Sequence, residues 1–235
     1  MDNNNTEITK TNEAAAPEPA KKVNIISDFV EIVESTLITI FVIVMIFTYL
    51  LHPVNIVGGS MKPTLNKNSE EWNENSQNDK ILMNTVFTDV KYGDILIIDN
   101  NRSYLLDESN NVRPNDQAVL FTDECLIKRV IAVGGQTLEL RDGSVYVDGE
   151  KLDEPYVMKG AMTYDEGAFG DQYPITIPEG YYFVMGDNRQ NSSDSRHADI
   201  GLIKKDQIYG KAIVRFSPIK NFHILINSWK ESAND

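Results

Sequence analysis

Hydrophobic positions along this chain fall into two regimes. Between Glu34 and His52 lie seventeen uncharged residues, Ser35 to Leu51 (STLITIFVIVMIFTYLL). At about 1.5 Å per residue, a helix of this length covers most of a hydrocarbon core about 30 Å thick. The flanking Ile32, Val33 and Val54 supply the rest. The pattern predicts a transmembrane anchor helix over residues 25–54. Just ahead of the run, Asp28, Glu31 and Glu34 recur every third residue and share one helical face. The run starts late for a cleavable leader, and His52-Pro53-Val54-Asn55-Ile56-Val57 offers no small-x-small cleavage site. The anchor is therefore expected to be retained. Lys10, Lys21 and Lys22 precede it, which favours a cytoplasmic N-terminus and an extracytoplasmic location for everything after residue 52.

The second regime is made of short β-prone runs. These are Lys80–Val86, Asp94–Ile98, Ala118–Thr122, Leu126–Val133, Thr137–Leu140, Ser144–Val147, Ile175–Ile177, Tyr181–Met185 and Gly210–Phe216. Turn signals separate them: Tyr92-Gly93-Asp94, Arg141-Asp142-Gly143, Val147-Asp148-Gly149 and Pro178-Glu179-Gly180. Asp142-Gly143 between two runs predicts a tight hairpin. The fold class is thus mostly β behind a single N-terminal helix. Residues 1–24 are polar, Asn-rich and then Ala/Pro/Glu-rich, and read as a disordered tail. Asn66–Asp79 and Asn100–Asp116 read as solvated surface loops, and residues 221–235 as a C-terminal tail.

Composition narrows the function classes. The formal charge of −13 argues against a nucleic-acid partner. The single cysteine, Cys125, excludes an internal disulfide. His52, His197 and His223 are scattered and form no metal-ligand cluster, so neither a metal nor a cofactor is expected.

Three blocks carry candidate chemistry. The first is Gly58-Gly59-Ser60-Met61-Lys62-Pro63-Thr64-Leu65, just after the anchor. A serine hydroxyl is a poor nucleophile without a base. Gly58 and Gly59 allow sharp backbone geometry and close approach of a substrate, and Pro63 fixes the chain beyond. The second block is Cys125-Leu126-Ile127-Lys128-Arg129-Val130-Ile131. Lysine replaces histidine as base only if burial brings its pKa down from about 10.4 toward neutrality. In Lys128's apolar strand, alternation sends it to the same face as Val130. The third is Gly186-Asp187-Asn188-Arg189-Gln190-Asn191-Ser192-Ser193-Asp194-Ser195-Arg196, dense enough in Asp and Arg to brace a loop. Taken singly, Ser60 reads as a turn serine, Lys128 as a solvent-facing edge lysine, and the third block as an Asx-rich turn.

Together and in this order, the blocks resemble bacterial type I signal peptidases over about residues 37–217. The resemblance implies a β-rich catalytic core (55–135 and 183–220) interrupted by a small β region (136–182). It implies Ser60 as nucleophile, Lys128 as general base, and the Ser60 backbone N–H as oxyanion donor. Ser192 would hydrogen-bond and orient the lysine. Met61, Pro63 and Thr64 would shape the site, while Arg129, Asp187, Arg189, Asp194 and Arg196 would form bracing ion pairs. Tyr92, Gly93 and Asp94 match the family's Gly-Asp strand block. Some relatives carry a serine, which helps the oxyanion, where this chain has Gly58. The implied partners are exported preproteins with small residues at positions −1 and −3 of the signal peptide, and the lipid bilayer of a cell membrane crossed once. Ile56, Val57 and the strand around Ile127 are the expected pocket walls. Two rival readings are weaker. Self-cleaving repressor proteases share the Ser/Lys logic, but residues 1–55 hold no helix-turn-helix. An inactive, anchored relative would usually lack the serine or the lysine, and both are present.

Overall fold

The computed structural model describes residues 25–67, 78–86, 89–120 and 125–226. The expected tail at 1–24, most of the 66–79 loop and the end of the 221–235 segment lie outside the described residues. The chain divides into two units, residues 1–43 and 44–235.

Helix α1 runs from Ile25 to Tyr49, buries none of its side chains, and is long and apolar enough to cross a membrane. Two of its hydroxyls bond back to the helix's own carbonyls. Thr36 Oγ1 donates to Ile32 O (2.7 Å) and Thr39 Oγ1 to Ser35 O (2.8 Å), so neither exposes an unpaired donor to an apolar surround. The helix stops five residues short of the expected end at 54. Leu51–Asn55 is a strand instead. Pro53 has no N–H and biases His52 toward extended backbone, so Val54 belongs to the sheet rather than to the anchor.

The strands are β1 (Leu51–Asn55), β2 (Lys80–Asn84), β3 (Ile95–Asp99), β4 (Tyr104–Leu106), β5 (Val112–Pro114), β6 (Cys125–Val133), β7 (Thr137–Arg141), β8 (Ser144–Val147), β9 (Glu150–Lys151), β10 (Ile175–Thr176), β11 (Tyr181–Met185), β12 (Ile203–Lys204), β13 (Ile208–Ser217) and β14 (His223–Ile224). The main antiparallel sheet has the order β1-β2-β13-β3-β6-β11-β12, with β14 also paired to β13. A second sheet, β10-β7-β8-β9, falls within the 136–182 stretch. As predicted, β7 and β8 are joined by a tight turn. Asp142 (φ 52°) and Gly143 (φ 71°) are both left-handed, as a type I′ turn requires.

Several expectations are corrected. The stretch 100–116 is not all solvated loop: β4 and β5 form a hairpin, and Leu105 and Leu106 are buried. The apolar Tyr104-Leu105-Leu106 triplet outweighs its polar surroundings. Residues 118–120 form no strand. The 221–235 segment begins as structure, since β14 pairs with β13 and Leu225 is buried. The ends of the 66–79 stretch are buried too. Asn66 N–H donates to Asp79 Oδ2 and Asp79 N–H to Asn66 Oδ1, each at 2.7 Å. Asn66 Nδ2 also donates to Ile56 O (2.9 Å) and Gly58 O (3.0 Å). This clamp closes the base of the loop beside the Ser60 block.

Apolar side chains pack on both faces of the main sheet, so β3 is apolar from Ile95 to Ile98. Ile95 and Ile97 join Ile56, Met61 and Leu65 in one cluster, while Leu96 and Ile98 join Val130 and Val184 in another. The second sheet has no core of its own. Leu138, Val145 and Ile175 pack in one cluster with Ile131, Phe183 and Met185 of the main sheet. That shared core fixes the 136–182 region against the strands that carry the third block.

Candidate active site

The loop after β1 carries Ser60. Gly58 sits at φ 83°, a conformation that costs glycine little, and Met61 and Leu65 anchor the loop in the core. Strand β6 carries Lys128, opposite Leu96 of β3. The fold brings these two residues, 68 positions apart, within hydrogen-bond reach: Nζ and Ser60 Oγ are 3.1 Å apart. Lys128 is only 3% exposed. Burial pushes its amine down to about 8, opposed by the Asp194 and Asp187 carboxylates and aided by Arg196.

The next residue on β6 has a different environment. Arg129 is fully buried. Its Nε and Nη2 donate to Asp187 Oδ1 (2.8 Å) and Oδ2 (2.7 Å), and its Nη1 to Gly93 O (2.9 Å). The guanidinium lies 4.2 Å from the centre of the Tyr156 ring. Thr64 Oγ1 accepts from Nη2 at 3.4 Å, which ties the Ser60 loop to this brace. The Tyr92 hydroxyl meets that of Tyr156 (3.1 Å). Asp94 pairs with Lys211 (2.7 Å).

The third block holds an ion pair of its own. Arg196 donates to Asp194 through Nε (2.8 Å) and Nη2 (2.9 Å). Asp194 Oδ2 in turn accepts from Gly186 N–H (2.9 Å). Arg189, for which no particular partner was expected, reaches out of the block to Glu154 Oε2 (3.1 Å) and Thr163 Oγ1 (2.7 Å) of the 136–182 region. Glu154 and Thr163 were missed because they sit in no motif. A buried arginine always needs acceptors, but sequence alone does not say which.

Ser192 departs from its expected role. Its Oγ is buried but has no hydrogen-bond partner among the described residues, and the lysine amine donates to Ser60 Oγ instead. Gly186 explains how close these loops lie, because a Cβ there would collide with Ser60 O and the Ser192 side chain. Asn188, to which the motif gave no role, donates its N–H to Ser60 O (3.0 Å) and its Nδ2 to Gly59 O (3.1 Å).

Ser60 and Lys128 open onto a cleft of about 520 Å³, lined also by Gly58, Gly59, Leu126, Glu166 and residues 190–193. Alternation along β6 sends Leu126 to the Lys128 side. Ile127 packs with Ile56 and Met61 in the core, and Val57 is exposed, so on the strand around Ile127 it is Leu126 that lines the cleft. Met61 is core. Pro63 and Thr64 are half-buried beside it.

The chain matches the family model described as signal peptidase, peptidase S26, over residues 29–217. It is 31% identical to a signal peptidase I of Bacillus licheniformis, spanning 84% of this chain and 94% of that protein. It is 33% identical to signal peptidase I P of Bacillus subtilis subsp. natto, spanning 82% and 91%. A solved signal peptidase I from Enterococcus faecalis is 28% identical, with a TM-score of 0.38 over 54% of this chain and 98% of that one. The sequence match spans helix, β core and all three blocks, and the chain belongs to the S26 family of signal peptidases, serine peptidases that process signal peptides.

Proposed function

We propose that this protein is a membrane-anchored endopeptidase that removes signal peptides from exported preproteins with a Ser60/Lys128 dyad. The observation that carries the reading is the 3.1 Å contact between Ser60 Oγ and an amine that burial holds near 8. A lysine so placed is half neutral at about pH 8 and largely neutral above it, and in that form can take a proton. Neutral Lys128 removes the Ser60 hydroxyl proton as Oγ attacks the scissile carbonyl carbon. The Ser60 N–H, which has no acceptor among the described residues, donates to the oxyanion. Lys128 then passes its proton to the leaving amine, and the C–N bond breaks to leave an acyl-enzyme. Water, deprotonated by Lys128, attacks the ester. The signal peptide leaves as a carboxylic acid, and Ser60 regains its proton.

Arg129–Asp187 and Arg196–Asp194 hold the loops around this pair, while Arg189 ties the 136–182 region to the catalytic core of 55–135 and 183–220. Ser192 borders the cleft. α1 anchors the enzyme once in the cell membrane, with the N-terminus cytoplasmic and the catalytic domain outside. The polar cleft with its single leucine wall takes the small residues at −1 and −3. Cleavage of a peptide with an Ala-x-Ala boundary tests the reading, using detergent-solubilised wild type beside Ser60→Ala and Lys128→Ala. Cleavage at that boundary by wild type alone is expected. Turnover by either variant overturns the dyad.

A further inference from the structure

Asn188 is the one residue of the third block that hydrogen-bonds the peptide groups on both sides of Ser60. Its side-chain Nδ2 donates to Gly59 O at 3.1 Å, and its main-chain N–H donates to Ser60 O at 3.0 Å. Asn188 is itself buried. The amide orientation is forced, because a carbonyl can only accept, so the nitrogen must face Gly59 O.

Gly59 O and the Ser60 N–H belong to one peptide group. That group is planar and trans, so its carbonyl and its N–H point in opposite directions along a rigid frame. Fixing the oxygen fixes the direction in which the N–H points. Lys62 N–H also donates to Gly59 O, at 3.1 Å within the local turn, and Asn188 adds the bond that ties this oxygen to the third block. The two residues before Ser60 are glycines, with Gly58 already at φ 83°, and glycine resists rotation of the adjoining peptide least. A hydrogen bond to the carbonyl also polarises the group and strengthens its N–H as a donor. Gly58 supplies no side-chain donor of its own, so the aim of this N–H decides how well an oxyanion is held.

We infer that Asn188 is a positioning residue for oxyanion stabilisation, acting through the Gly59–Ser60 peptide rather than by touching substrate. The inference rests on the reading of Ser60 as the nucleophile. It concerns the transition state more than the bound substrate, so kcat carries its signature.

The test uses the full chain in detergent, with Asn188→Ala and Asn188→Ser beside Ser60→Ala. Both Asn188 variants keep the main-chain N–H bond to Ser60 O, and their melting curves report folding. Steady-state cleavage of an Ala-x-Ala peptide gives kcat and KM. Inhibition by a peptide boronic acid of the same sequence, whose adduct on Ser60 presents a negative oxygen, reports the oxyanion contact. The expected result is a fall in kcat of about 10- to 100-fold, part of the loss that removing an oxyanion donor outright causes. KM stays within about threefold, boronate affinity weakens in parallel with kcat, and the pH midpoint of activity is unmoved. A folded variant within twofold of wild type overturns the inference, as does a loss confined to KM or a moved pH midpoint with unchanged boronate affinity. Cleavage by Ser60→Ala would instead overturn the reading beneath it. An inactive Ser60→Ala beside fully active Asn188 variants sinks this inference alone.

Discussion

Lys128 and Arg129 are neighbours on one strand, both buried and both basic, and the fold treats them in opposite ways. Arg129 points to the side where Asp187 meets it with two oxygens 2.7 and 2.8 Å away, Gly93 O accepts a third bond and Tyr156 covers its face. Lys128 points into the cleft, where it meets the neutral Ser60 hydroxyl. Asp194 and Asp187 act on it from a distance, and burial outweighs them. Burial with a bidentate counter-ion makes a brace with a fixed charge. Burial without one makes an amine that gives up its proton near 8. The contrast shows that burial does not by itself set a cation's behaviour; the partner does.

Breaking the lysine side has the largest expected effect. Lys128→Arg restores charge but not a base that is neutral at workable pH, so cleavage of an Ala-x-Ala peptide should fall at least about 1,000-fold, as for loss of other members of a catalytic unit. Activity within tenfold of wild type would refute the assignment. Breaking the arginine side should cost stability. Arg129→Met leaves Asp187 buried without its partner, at about 3–5 kcal/mol, measurable as a lower urea midpoint with an unchanged m-value.

Swapping the lysine for an apolar residue sharpens the comparison. The folded state binds Lys128's proton more weakly than the unfolded chain does. Between about 8 and the unfolded value near 10.4, the unfolded state therefore holds more protons, and wild-type stability rises with pH across that window. Below about 8 the whole penalty is present. Lys128→Met should thus be more stable than wild type at pH 7, by up to about 3 kcal/mol, and the gain should shrink above pH 8. Denaturant melts at pH 7 and pH 10 check this, and a gain independent of pH would show that packing rather than charge is responsible. Wild-type peptidase activity should rise with pH through the region of 8, and a flat profile from pH 5 to 10 would contradict a titrating base. The smallest effect belongs to the exposed start of the same strand. Cys125→Ser should change cleavage by less than about twofold, because Cys125 is exposed and unpaired.

Some of this was legible from residue order because it depends on local chemistry. An apolar run has to be shielded from water wherever it occurs, Asp142-Gly143 adopts its turn from its own backbone preferences, and an apolar strand around Lys128 already implied a costly, perturbed amine. Pro53 held the signal that the helix ends before residue 54, but hydropathy alone did not weigh it. Tertiary structure decided the rest, because it depends on what meets across the sheet. The partner of Arg189 lies 35 positions away in a segment without a motif. Ser192 carries the motif's serine, but its Oγ has no hydrogen-bond partner among the described residues. Asn188 gains its role only when a loop 129 positions from Gly59 folds onto it. Hydropathy and turn preference act over a few residues, so sequence determines them directly. Hydrogen-bond partners are matched over a few ångströms in space, and only the closed sheet fixes which residues are that near.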